Sequence, residues 1–175
     1  MSTVPAGWEG ILEEGETILW QGRPGQRVVF GVAQIGAMIF GLFFSGIALF
    51  WMILAAQAGG FFWMFGLIHF SVGLSIGVLP PFWSAWSRRH TWYTLTSRRA
   101  FIATDIPLMG RKLKDYPIES QTALTWDDGE PGNVWFASEY RKTKKGSRKI
   151  PIGFERIVGA REVYDLCRKV QTGTG

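Results

Sequence analysis

Charged and apolar positions divide the chain into three parts. The 60 residues from Val28 to Ser87 contain no Asp, Glu, Lys or Arg, whereas both flanking segments mix charged and apolar residues. A helix needs about 20 apolar residues to cross roughly 30 Å of hydrocarbon, so the uncharged run is long enough for two crossings. The pattern predicts an integral membrane protein. Its parts are a cytoplasmic segment over 1–27, a two-helix transmembrane hairpin over 28–87, and a cytoplasmic domain over 88–175.

The uncharged run contains two predicted helices joined by a short turn. The first spans Phe30 to Leu54 and the second spans Phe61 to Leu79, with the small, uncharged sequence QAGG between them. Pro80 and Pro81 follow. Because proline removes a backbone donor and disfavours helix at the preceding residue, we expect a kink or break there, followed by an interfacial turn.

Basic residues close to the predicted helices indicate their orientation, since cytoplasmic flanks carry an excess of Lys and Arg and Trp gathers at the membrane interfaces. The turn between the helices has no basic residue. The predicted topology and interface anchors at the other ends are Arg23, Arg27, Arg88, Arg89, Trp83 and Trp86. Both termini of this multi-pass chain are therefore expected on the cytoplasmic side.

Small residues form a stripe on each predicted helix, and in lipid such stripes let helix backbones approach closely. The predicted helix-packing positions are Ala33, Ala37, Gly41, Ser45, Gly66, His69, Gly73 and Gly77. The stripes fit either the hairpin packed on itself or other membrane proteins. His69, the one ionisable side chain in the spans, is expected to face a helix partner, through a structural hydrogen bond or a polar group of another protein. No second histidine is available in the membrane for haem or metal ligation.

From Arg88 onward the pattern changes to the two-residue alternation of strands. A hairpin is predicted over 91–97 and 100–106, with the turn at Arg98-Arg99 on a domain edge, facing lipid or a partner. The other predicted elements are strands over 112–118, 122–126, 133–140 and 148–157, a helix over 160–170, and an upstream strand over 16–24 that is a candidate to complete the sheet. The acidic stretch 127–132 is interpreted as an exposed turn rather than a metal or acid–base site.

The cytoplasmic domain is strongly basic. From Arg88 to the end, 17 basic and 10 acidic residues give a net charge of +7. The cluster predicted to contact lipid or a partner consists of Arg141, Lys142, Lys144, Lys145, Arg148 and Lys149. Each such residue contributes about 1 kcal/mol near an anionic leaflet. A solvated loop and an acidic protein partner fit the same cluster, whereas nucleic acid is not expected for a domain tethered beneath a membrane.

Three motifs occur in an order that resembles a known family. EGETILWQGRP precedes the helices, and WYTLTSRRAFI and then DYPIESQTAL follow them. This order, over approximately 14–170, is similar to that of the bacterial pleckstrin-homology-like membrane proteins. The resemblance implies an α+β membrane protein of the bacterial inner (cytoplasmic) membrane. It implies a transmembrane helical hairpin and a small pleckstrin-homology-like β-barrel or sandwich closed by a C-terminal helix, without catalytic residues.

Two functional hypotheses follow. The first is a non-enzymatic scaffold or accessory/assembly subunit that docks on a larger respiratory, photosynthetic or transport complex through its hairpin and cytoplasmic domain. The second is a stand-alone membrane protein whose basic domain binds anionic lipid. The expected partners are thus membrane lipid and other membrane protein subunits.

An enzyme is not expected, because the chain lacks the GxxxxGK[ST], HExxH and GxSxG motifs and any Cys/His ligand spacing. Asp105, Asp115 and Glu119 are conceivable acids that the sequence does not bring together. The single cysteine, Cys167, excludes an intrachain disulfide and a cysteine-based zinc cluster. We predict no catalytic residue, cofactor, metal or small-molecule substrate.

Overall fold

The computed structural model describes residues 7–28, 30–143 and 146–173, without the side chain of residue 143. The chain forms two compact units. A helical unit comprises Gln26–Ser87, and an α+β domain is built from the residues up to Gly25 together with those from Arg88 onward. The helical unit is therefore inserted between the first strand of the domain and the rest of it.

Two long helices make up most of the helical unit. Helix α1 is Val32–Gln57, and helix α2 is Phe65–Arg89 after one turn of 3₁₀ helix at Phe62–Met64. Both are long and apolar enough to cross a membrane, judged by length and composition. In their most apolar windows, 22% of residues around α1 and 17% around α2 are buried. The core helix of a soluble protein would be mostly buried, so these helices leave apolar surface uncovered.

Of the kink or break expected at Pro80-Pro81, the break is wrong, because α2 continues through both prolines to Arg89. The fixed φ of proline, about −65°, is itself helical. Because proline has no backbone N–H, each proline removes from the helix the hydrogen bond to the carbonyl four residues earlier. The acceptors concerned are the carbonyls of Ile76 and Gly77. The stretch after the prolines is accordingly helix rather than an interfacial turn.

The described strands of the domain form two antiparallel sheets. The first sheet contains β1 (Ile18–Gly22), β2 (Thr91–Thr96), β3 (Arg99–Ile106) and β4 (Gly110–Pro117), and the second contains β5 (Thr125–Trp126), β6 (Gly132–Thr143) and β7 (Gly146–Ile157). In each sheet the strands are adjacent in chain order. Strand β1 pairs with β2, placing Gln21 opposite Thr94, so the strand upstream of the helices completes the first sheet.

Helix α3, Ala160–Gln171, closes the domain. Gly159 precedes it with φ 69°, a left-handed conformation that glycine adopts without steric cost. Val163, Cys167 and Val170 are buried on one face, as the sequence spacing predicts. Arg168 and Lys169 lie in the last turn, where positive charge interacts favourably with the helix dipole.

One hydrophobic core is shared by both sheets and α3. Leu95 of β2, Phe154 of β7 and Cys167 of α3 are fully buried in it. The α+β class with antiparallel sheets is thus confirmed, but the sheets do not join into a closed barrel. The reason is that β5 is two residues long and pairs with β6. Among the described strands, no ladder of backbone hydrogen bonds links the β4 edge to the second sheet.

Candidate functional site

Helices α1 and α2 pack through a seam of small residues. Gly41 and Ser45 of α1 and Gly73 and Gly77 of α2 are buried there. A Cβ on Gly41 would lie 2.6 Å from the backbone nitrogen of Gly77, so a larger residue would force the helices apart. The Ser45 hydroxyl donates a hydrogen bond to the carbonyl of Phe70 at 3.1 Å. The hairpin thereby uses the small residues for its own packing.

The seam departs from the predicted stripe at both ends of α1. Ala33 is exposed and Ala37 half-buried, whereas Ala48 and Met52 are buried. With 3.6 residues per turn, a strict four-residue repeat drifts about 40° around the axis at each step. Ala33 and Ala37 therefore lie outside the buried seam, although both line a cavity with Ile76 and Pro80 of α2. The buried α1 positions 41, 45, 48 and 52 follow the 4-3-4 spacing that keeps a seam aligned between two helices.

His69 lies on the flank of the helical pair, and its expected place in the helix contact is corrected. Gly66, three residues earlier, is buried against Met52. Position 69 lies about 60° around the axis from Gly66, and its side chain is exposed. The imidazole is 5.3 Å from the Phe65 ring and 6.3 Å from the Phe44 ring. Its Nδ1 is 3.4 Å from the Phe65 carbonyl oxygen, and Nε2 has no hydrogen-bond partner among the described residues.

A lateral cavity of about 250 Å³ opens beside this histidine. We call it the His69 recess. The residues lining it are Phe44, Ile47, Ala48, Trp51, Phe65, Gly66 and His69. Apart from the imidazole and the Trp51 indole, these side chains offer no hydrogen-bonding group. The recess therefore combines an apolar wall with an imidazole nitrogen available to an incoming group.

Basic residues of the first sheet are largely neutralised by acids. Arg98 lies 2.7 Å from Glu13, Arg111 lies 3.0 Å from Asp105, and Lys114 lies 2.7 Å from Glu139. Arg99 contacts Glu13, Glu16 and Asp115 at 3.3, 2.9 and 3.1 Å. The expectation that Arg98-Arg99 faces lipid or a partner is corrected. These charges bind the segment before β1 to the β2–β3 hairpin.

Glu16 is the buried centre of that network, with its side chain 0% exposed. It accepts hydrogen bonds from the Thr96 hydroxyl at 2.6 Å, the Glu13 backbone at 2.8 Å and Arg99 Nη2 at 2.9 Å. Burial alone raises the pKa of this carboxyl, but the hydrogen bonds from Arg99, Glu13 and Thr96 outweigh it and lower the pKa to about 2. The GE pair of the opening motif was the sequence signal for this network, and sequence reasoning missed its role.

Strands β6 and β7 extend past the core as a two-stranded basic arm, residues 138–143 and 146–149. Its described side chains up to position 142 and from Gly146 onward are exposed. Arg141 lies opposite Arg148, and Tyr140 lies opposite Lys149. In contrast to the first sheet, Arg141, Lys142, Arg148 and Lys149 form no ion pair with a described residue. The predicted contact residues Lys144 and Lys145 lie outside the described residues.

The predicted interface anchors differ in their contacts and in their exposure. The guanidinium of Arg23 lies 4.7 Å from the centre of the Trp92 ring, and Arg88 Nε donates to the Gly25 carbonyl at 3.0 Å. Arg27 and Arg89 are exposed. The rings of Trp83 and Trp86 lie 5.1 Å apart. Arg88 therefore also hydrogen-bonds the chain just before the helical unit.

The carboxylates considered for chemistry have structural partners or lie apart. Asp105 and Asp115 are held in ion pairs with Arg111 and Arg99. Asp127, in the exposed turn between β5 and β6, accepts a 2.9 Å hydrogen bond from the Asn133 backbone. Within the described part of the chain, no group of three or more His, Cys, Asp or Glu side chains could hold a metal ion.

Comparisons with protein-family models, curated proteins and solved structures found no match to this chain. Within the described residues, the His69 recess on the helical unit and the unpaired basic side chains of the arm on the domain are the features that we consider further, whereas Glu139 at the base of the arm pairs with Lys114 of β4.

Proposed function

We propose that this chain is a non-enzymatic integral membrane protein that serves as a scaffold or accessory/assembly subunit of a larger membrane protein complex. In this proposal α1 and α2 span the bacterial inner membrane, with both termini in the cytoplasm. The α+β domain is a pleckstrin-homology-like module at the cytoplasmic surface. The His69 recess is the observation that carries the docking role.

The uncovered apolar surface of the helices supports insertion into a bilayer. Large side chains such as Phe40, Phe43 and Phe50 are 58%, 68% and 64% exposed. Keeping apolar area in water costs about 25 cal/mol per Å², a penalty that lipid removes. Helix α1, with 26 residues, is about 39 Å long, which exceeds the roughly 30 Å of hydrocarbon in a bilayer.

The unsatisfied nitrogen of His69 supports a protein neighbour within the membrane. Along α2 the histidine lies about 21 Å from Trp83, one of the predicted interface anchors, and in this proposal it lies within the hydrocarbon. An unsatisfied polar group in hydrocarbon costs several kcal/mol, and neither α1 nor α2 supplies a partner for Nε2. A polar group on an adjacent transmembrane helix, seated in the recess, would provide that hydrogen bond.

Two measurements test the proposal. Alkaline carbonate should leave the chain in the membrane fraction, and release of the chain would contradict insertion. Purification in mild detergent from native membranes should recover a partner at fixed stoichiometry. His69→Leu should reduce that recovery about 5- to 30-fold, the factor expected for losing 1–2 kcal/mol. His69→Asn, which keeps hydrogen-bonding atoms, should retain more of it.

Leu74→Ala is the matched control, because Leu74 is an exposed α2 residue outside the recess. It should leave recovery unchanged. Purification of this chain alone, or equal losses for His69→Leu and Leu74→Ala, would contradict docking through the recess.

A further inference from the structure

We infer that the basic arm is a binding site for the anionic head groups of membrane phospholipids. The inference goes beyond the scaffold role and rests on one part of it, namely that α1 and α2 are inserted in a bilayer. The arm is remote from the His69 recess in sequence and belongs to the other unit of the fold. The two proposals can therefore fail separately.

The distribution of ion pairs is the first observation. In the first sheet and its β2–β3 turn, Arg98, Arg99, Arg111 and Lys114 have acidic partners within 3.3 Å, and Lys112 of β4 is the exception among the described residues. The four described basic residues of the arm have none within the described chain. The fold thus neutralises the charges that stabilise the first sheet and leaves those of the arm available for an external anion.

The structure of the arm itself is the second observation. Exposed side chains from 138 to 142 and from 146 to 149 add nothing to the core. The directly opposed Arg141 and Arg148 repel each other, which destabilises a free hairpin. Bound anions would remove that repulsion. An arm built for folding alone would need neither the extra length nor like charges in register.

Both faces of the arm are positively charged, which favours a surface of many phosphates over a single anion. Successive residues of a strand point to opposite faces. Arg141 and Arg148 share one face, and the neighbouring pair of Tyr140 and Lys149 lies on the other. Tyr140 is 71% exposed, and tyrosine is enriched at membrane interfaces because its ring is apolar and its hydroxyl polar. A layer of lipid head groups can contact both faces at once.

Reach and tethering favour lipid as the source of these phosphates. The arm has six residues in strand β6 and therefore extends about 20 Å. Because physiological salt screens charge over roughly 8 Å, an arm of this length can carry its charges within range of head groups at a distance from the core. The chain connects the domain to the helical unit at both ends, between Gly25 and Gln26 and between Ser87 and Arg88. An inserted helical pair would hold the domain at the membrane surface, where head groups are always present.

The experiment uses the full chain in lipid nanodiscs with a fluorophore on the arm. Ser147→Cys, opposite Lys142, provides the attachment point. Native Cys167 is fully buried, and burial raises the pKa of its thiol to about 12, so the reagent should react with the introduced thiol. A quencher attached to lipid head groups reports proximity. Quenching should be stronger in discs that contain phosphatidylglycerol than in purely zwitterionic discs, and it should fall as salt increases.

Matched charge changes distinguish the arm from general electrostatics. Arg141→Gln with Arg148→Gln should weaken the association about 25-fold, since each charge near the surface contributes about fivefold. Arg111→Gln with Lys112→Gln removes the same charge from β4 and should leave quenching unchanged. Equal effects of the two double variants would overturn the inference.

The remaining outcomes separate this inference from the scaffold proposal. If the chain enters nanodiscs but quenching is the same with and without anionic lipid, the lipid site is wrong and insertion stands. An arm that stays unquenched and binds an acidic protein instead would also overturn it. If the chain does not enter nanodiscs at all, insertion fails, and the lipid inference fails with it.

Discussion

Arg98 and Arg99 are neighbours with different environments. The Arg99 side chain is 18% exposed and reaches three carboxylates, whereas that of Arg98 is 54% exposed and pairs with Glu13. An exposed ion pair is worth at most about 1 kcal/mol, while removing one partner of a buried pair costs about 3–5 kcal/mol. Arg99 with Glu16 therefore carries most of the stabilisation in this network. The hydrogen bond to Glu16 also raises the pKa of Arg99.

Glu16 should make the stability of the domain depend on pH below 4.5. Its pKa is about 2 in the folded chain against 4.5 without these contacts, so the unfolded chain binds a proton first as pH falls. The stabilisation, about 3 kcal/mol, is complete above pH 4.5 and is lost progressively toward pH 2. Glu16→Gln should lower the unfolding free energy at pH 7 by a similar amount and flatten the profile between these values.

Chemical unfolding of the domain in detergent-solubilised chain, followed by near-ultraviolet circular dichroism, measures this dependence. Glu14→Gln is the control, because Glu14 is exposed and has no ion pair in the described structure. It should leave both the free energy and its pH profile unchanged. A Glu16→Gln profile as steep as that of the unsubstituted chain would show that another carboxylate is responsible.

At the scale of elements, the contact between α1 and α2 depends on buried glycines, whose lack of a side chain lets the two backbones approach closely. A Cβ at Gly73 would lie 2.9 Å from the carbonyl oxygen of Gly41, and one at Gly41 would lie 2.8 Å from Gly77 Cα. In the proposed bilayer location there is little hydrophobic force between helices, so close packing and the Ser45 hydrogen bond would have to hold them together. Large residues in the seam would prevent the close packing and break the Ser45 hydrogen bond.

Gly41→Leu should destabilise the helical pair by about 1–3 kcal/mol, the usual cost of overpacking a close contact. Thermal unfolding of the full chain in detergent measures the change. Gly46→Leu is the matched control on the same helix, since a Cβ there meets no atom within 4 Å. It should shift the free energy by less than about 0.5 kcal/mol. Equal destabilisation by both substitutions would mean that the seam is not the contact that holds the pair.

At the scale of the whole molecule, the two arginine pairs belong to different parts of the architecture. Arg88 and Arg89 end α2, while Arg98 and Arg99 lie at the β2–β3 turn with acidic partners inside the domain. Under the proposed topology the first pair orients the helices and the second stabilises the domain. A like-for-like charge reversal separates these roles.

Arg88→Glu with Arg89→Glu should change the orientation of the helical pair, because basic residues next to a span retain it on the cytoplasmic side. Arg98→Glu with Arg99→Glu should leave orientation intact while destabilising the domain. Ala58→Cys, in the turn between the helices and exposed, allows the measurement with a membrane-impermeant thiol reagent on intact cells. Labelling should be lost in the first double variant and kept in the second. Loss of labelling in both would contradict this division.

The periodicity of apolar residues was sufficient to predict the two long helices, the antiparallel strands and the closing helix. In each of these elements, the spacing of the apolar residues indicates which side is buried. Val163, Cys167 and Val170 identified the inner face of α3 in this way. The continuation of α2 through Pro80 and Pro81 was not predictable from that rule, because a proline's cost depends on whether neighbouring packing stabilises the helix.

Only the tertiary structure decided which residues far apart in the chain meet. Glu16 and Arg99 are 83 positions apart, and no local pattern records their contact. The same holds for the division into two sheets and for the position of His69 on the flank, since these depend on how whole elements pack together. The sequence alone determined the dense charge at 141–149. The three-dimensional arrangement added that its described basic residues have no ion pair with a described residue while most of those of the first sheet do, because ion pairing depends on distance in space rather than along the chain.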